Sequence, residues 1–141
     1  MPTVAASGTK ILRPSQLTRV EAAPGAPKQS SYVLLVPGAG PGGWYYSGMQ
    51  QLLAKEGYMS ICLEWEHAKC NRRLGWLCRQ IYDAIQSTPE SSPILLGHSV
   101  GALATHAYAV AHREWSNEMQ PPEKQIKGLV LWSPSPTRGS N

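Results

Sequence analysis

Cysteine is scarce in this chain of 141 residues and odd in number: Cys62, Cys70 and Cys78, with no secretory signal peptide ahead of them. Such a set excludes a disulfide framework and points to reduced thiols in a reducing, cytoplasmic compartment. Long apolar runs are missing as well. None approaches the roughly 18 residues of a membrane span, so no spanning helix is expected. Basic residues such as Lys28, Arg72, Arg73, Lys124 and Lys127 are scattered, and the net charge is only +4. Without a dense basic stripe, nucleic acid is a poor partner. Glu64, His67, Cys70 and Cys78 match no zinc spacing, and Cys62 and Cys78 fall on apolar faces, so core packing is expected, with no metal and no other cofactor.

What is present alternates between strand and helix. The first thirty residues lack sustained periodicity and end in the Pro/Gly-containing EAAPGAPKQSS, which reads as a flexible leader and linker over 1–30. Lys10, Arg13 and Arg19 precede the first acid, Glu21, a weakly transit-peptide-like pattern for which a plain leader is the simpler reading. Tyr32–Val36 is a short apolar run typical of a strand buried on both faces. A helix is predicted from Ser47 to Glu56, stopped by Gly57, then a strand over Met59–Leu63. Leu74, Leu77, Cys78, Ile81 and Ile85 recur at helical spacing. Pro93–Leu96 is a third strand, Val100 to Trp115 a third helix, and Gly128–Trp132 a fourth strand. This order predicts an α/β fold, with a parallel sheet of about four strands, helices on both faces, and ligands beyond the carboxyl ends of the strands.

Two glycine-rich turns fall at such ends. Gly97-His98-Ser99-Val100-Gly101 joins an apolar strand directly to an Ala-rich helix. That is the order of a nucleophile elbow, in which flanking glycines allow a tight turn and the serine hydroxyl stands over the helix start. Ser99 is the candidate nucleophile for acyl transfer, with Gly97 and Gly101 as elbow glycines. The oxyanion formed on attack needs two backbone N–H donors, for which Val100 and Ala39 are the candidates. The upstream turn, Gly38-Ala39-Gly40-Pro41-Gly42-Gly43, also satisfies G-x-G-x-x-G, and Glu64 closes the next strand, so a dinucleotide-binding domain is an alternative. Pro37 and the rings of Trp44, Tyr45 and Tyr46 crowd that reading, which also leaves Ser99 without a role.

Val33–Gly40 followed by Gly43–Tyr46 resembles the oxyanion segment of the esterase and lipase-like α/β-hydrolases, although many members carry a histidine at the place of Pro37. Leu95–Ala102 resembles their elbow, and Gly128–Pro134 the strand after the elbow helix. The resemblance covers residues 32–138 and implies a truncated α/β-hydrolase-like core, with 31–141 as the N-terminal part of the domain. It also implies a small-molecule acyl substrate such as a carboxylic ester.

The family's order of Ser, acid, His is not continued after Ser99. Asp83 is the sole aspartate and precedes the elbow, while Glu114, Glu118 and Glu123 lie on the elbow helix or beyond it. His98, His106 and His112 occupy the elbow and its helix, which leaves His67 as the least implausible base. Weak or absent activity is the expectation for this chain alone. A non-catalytic module, self-associating through an exposed final strand that carries Val130 and Trp132, is a further alternative.

Overall fold

The computed structural model describes residues 17–38, 46–64 and 74–134. Strands β1 (Leu17–Val20), β2 (Tyr32–Val36), β3 (Ser60–Leu63), β4 (Pro93–Ser99) and β5 (Gly128–Pro134) interleave with helices α1 (Ser47–Lys55), α2 (Leu74–Ser87) and α3 (Val100–Met119). They form one sheet in the order β1-β3-β2-β4-β5. The pairs β2–β3, β2–β4 and β4–β5 are parallel, and β1 runs antiparallel along β3.

The five central residues Tyr32–Val36 are buried without exception, as a strand covered on both faces requires. Alternate side chains go to opposite faces. Leu34, Val36, Ile61 and Leu95 pack with Leu77, Ile81, Ile85 and Tyr108 of α2 and α3. Val33, Leu35, Cys62 and Leu96 pack with Tyr46, Met49 and Leu53 at α1. This division follows from the topology. The crossover from β2 to β3 moves one way along the sheet and those to β4 and β5 move the other, so right-handed connections set α1 on one face and α2 and α3 on the opposite one. Cys62 is fully buried in the α1-side core, where burial pushes its thiol up to about 12.

The sheet has five strands rather than four, because β1 lies inside the stretch read as a flexible leader over 1–30. Ala23-Pro24-Gly25-Ala26 is not slack either. Pro24 and Gly25 occupy the central positions of a tight turn, with Gly25 at φ 84° and the Ala26 amide bonded to the Ala23 carbonyl. These are the residues that a type II turn demands. The segment is then held against the end of α1 by Ala23 N–H to Ala54 O at 2.9 Å and Gln29 N–H to Gly57 O at 3.0 Å. Gly57 stops α1 as predicted, at φ 90°, and a side chain there would strike the Pro27 carbonyl oxygen at 1.8 Å. Among the described residues, no helix is long and apolar enough to cross a membrane.

Candidate active site

The chain leaves β2 toward β3 on one side and later enters β4 on the other. The carboxyl ends of β2 and β4 therefore flank the point where the winding reverses, the place where open α/β sheets form their ligand crevice. Ser99 is the last residue of β4, and Gly38 follows β2 by two residues. The two meet there. A Cβ added to Gly38 would lie 2.8 Å from Ser99 Cβ and 3.4 Å from its Oγ, so only glycine lets the backbone pass this close to the hydroxyl.

Ser99 adopts φ 58°, a left-handed conformation that costs a non-glycine residue energy and is held only where its surroundings fix it. The glycines around it show what fixes it. A Cβ on Gly97 would meet the Gly101 carbonyl oxygen and Thr105 Oγ1, each at 2.6 Å, in the first turns of α3. One on Gly101 would meet the carbonyl oxygens of Val36 and Pro37 at 2.1 and 2.5 Å. Gly97 therefore lets α3 fold back on β4, and Gly101 lets it press on the end of β2. Val100 opens α3, so its amide is among the first four N–H groups that have no acceptor within the helix. The positive end of the helix dipole also lies under Ser99 and favours negative charge there.

The turn also carries a polar and aromatic network that periodicity could not reveal. The Gly38 amide donates to Tyr46 Oη at 2.9 Å, and that hydroxyl is hydrogen-bonded to His98 Nδ1 at 2.9 Å. The His98 ring stacks on Trp132 with centroids 4.2 Å apart at 28°, and Tyr46 meets both rings edge-on. Trp132 is brought beside His98 by the β4–β5 register, His98 opposite Trp132, and the register then shifts between His98 and Ser99, so that Ser99 lies opposite Pro134.

Among the described residues, His106 and Asp83 are not brought to this crevice. His106 is exposed along α3. Helix α2 runs antiparallel to the parallel strands, so Asp83, one turn from the helix end, lies toward the opposite end of the sheet. Its carboxyl is raised to about 6 by burial, partly offset by Arg79, whose Nε is 3.5 Å from Oδ1. Ala39, the proposed second oxyanion donor, together with Gly40–Gly43, His67 and Cys70, lies outside the described residues, as do the side chains of His112, Glu114 and Glu118. An open cleft of about 620 Å³, lined in part by Glu21, Lys28, Ser31 and Glu90, sits at the amino ends of the strands, away from the crevice.

No protein-family model matches the sequence, and no curated protein matches it. Solved structures do. An esterase from Exiguobacterium antarcticum superposes with a TM-score of 0.61 at 18% identity, over 90% of this chain and 42% of that one. A monoacylglycerol lipase from Paleococcus ferrophilus gives 0.63 at 22%, over 84% and 43%. An α/β-hydrolase from Novosphingobium aromaticivorans gives 0.56 at 15%, over 93% and 42%. The chain carries part of the α/β-hydrolase fold. It spans about two fifths of the length of these α/β-hydrolase structures. A dinucleotide-binding sheet of order 3-2-1-4 would separate its first and third parallel strands, whereas here β2 and β4 are neighbours.

Proposed function

We propose that this chain supplies the nucleophile half of a serine hydrolase acting on a carboxylic ester or related acyl substrate, with Ser99 as the nucleophile. The observation that carries the proposal is the left-handed Ser99 at the head of α3, packed against Gly38 at the point where the sheet's winding reverses. Ser99 Oγ adds to the acyl carbon while its proton passes to a base, and the carbonyl electron pair moves onto oxygen. The amides of Val100 and Ala39 hold that oxyanion. Collapse expels the alkoxide, which takes up a proton, and leaves an ester on Ser99. Water adds to the same carbon, releases the acid and restores the hydroxyl.

The chain alone is a weak catalyst on this reading. His98 has its Nδ1 engaged by Tyr46, and His106 is roughly 10 Å along the helix from Ser99. On this reading neither of these two histidines activates the hydroxyl, and an elbow and oxyanion hole by themselves retain only a residue of rate enhancement. Hydrolysis of p-nitrophenyl acetate by the 141-residue chain should be slow and should disappear in Ser99→Ala. Slow turnover that persists in Ser99→Ala would remove the nucleophile, and rapid Ser99-dependent turnover would remove the claim of weakness.

A further inference from the structure

We propose that Tyr46 and His98 act as a positioning pair that clamps the start of the upstream glycine turn against the nucleophile. The inference rests on the reading of Ser99 as nucleophile and adds two residues to it. Gly38 has no side chain with which to fix its own place, yet its backbone must lie against Ser99 without drifting. The element that holds it is the buried phenol of Tyr46, which accepts the Gly38 N–H at 2.9 Å. That hydroxyl carries one proton. With one oxygen lone pair already turned to Gly38, the 2.9 Å contact to His98 is best satisfied when Tyr46 Oη–H donates to an unprotonated Nδ1.

In this arrangement Nδ1 of His98 is the acceptor and the ring N–H is on Nε2. Trp132, stacked at 4.2 Å, fixes the plane of the ring. The relay runs in one direction, from Gly38 N–H to Tyr46 Oη–H to His98 Nδ1. It links the end of β2 to the residue immediately before Ser99. Gly38 precedes Ala39, the proposed oxyanion donor, in the sequence. Neither side chain touches substrate in this scheme. They act through Gly38, which distinguishes them from a base.

The test uses the full chain and three variants, Tyr46→Phe, His98→Ala and His98→Asn. Asparagine places an oxygen acceptor near the position of Nδ1 and cannot titrate, so it keeps the relay and discards the ring. Ring nitrogen resonances of His98 should report the Nε2–H tautomer in the unmodified protein and a changed Nδ1 signal in Tyr46→Phe. Gly38 amide exchange should quicken about tenfold in Tyr46→Phe and His98→Ala and return close to its original rate in His98→Asn. Labelling of Ser99 by a fluorophosphonate should follow the same order.

An Nδ1–H tautomer, or Gly38 exchange that ignores Tyr46→Phe, overturns the clamp. A failure of His98→Asn to restore what His98→Ala loses reduces His98 to packing and also overturns it. If the unmodified chain and Ser99→Ala label alike, the nucleophile reading fails. The tautomer and exchange results still decide the pair.

Discussion

At the residue scale the elbow is a problem of space. Gly101 is pressed against two backbone carbonyl oxygens at 2.1 and 2.5 Å, and backbone cannot step aside as a flexible side chain can. Gly101→Ala should therefore destabilise the fold by about 2–4 kcal/mol, read as a lower denaturation midpoint at unchanged slope. Asp83 makes the opposite prediction. Its folded-state value of about 6 lies above its ordinary one, because burial disfavours the charged form, so the native protein binds this proton more tightly than the unfolded chain does. Stability from this group is fully present below about pH 4 and is lost as pH rises through about 6. Asp83→Asn should match the parent protein at low pH and exceed it above pH 6, by up to roughly 3 kcal/mol, in denaturant titrations across that window.

Elements were legible in proportion to how far local pattern decides them. The runs at 32–36 and 128–132 are apolar enough to be strands wherever they sit, and the periodicity over Leu77, Cys78, Ile81 and Ile85 fixes the face that α2 buries, whereas Leu74 at the start of the helix is exposed. Strand β1 was not legible, because Leu-Thr-Arg-Val is short and mixed and becomes a strand through pairing with β3. The turn after it was legible in principle. As composition Pro24-Gly25 indicates a linker, but its order also specifies a type II turn. Nothing lies within 4 Å of a Cβ built on Gly25, so the cost of Gly25→Ala is conformational alone. About 1 kcal/mol of lost stability is expected, checked by thermal or urea unfolding. Of the candidate site, Ser99 and its glycines could be read from spacing. The meeting of Tyr46, His98 and Trp132 could not, since three separate elements bring them together.

At the scale of the molecule the sheet is asymmetric. One edge is β1. The other is β5, where Leu129, Val130, Leu131 and Trp132 are all at least one-third exposed, on both faces of the strand. Among the described residues no strand pairs with the outer side of β5, and a sheet edge in that state is a template for pairing with another strand. Self-association through it, with β5 of a second copy running antiparallel about a two-fold axis, is the non-catalytic alternative to the hydrolase reading. Val130→Lys places a charge on that edge and should shift a sizing-column dimer to monomer, whereas a monodisperse parent monomer would dismiss the pairing.

The hydrolase reading gathers these scales at one atom, Ser99 Oγ. Exposure of the full chain to a fluorophosphonate, followed by mass mapping of the adduct, tests it most directly. A single adduct accumulating slowly on Ser99 and absent from Ser99→Ala is the predicted result. No adduct on Ser99 after prolonged exposure, or equal labelling of the alanine variant, would contradict it.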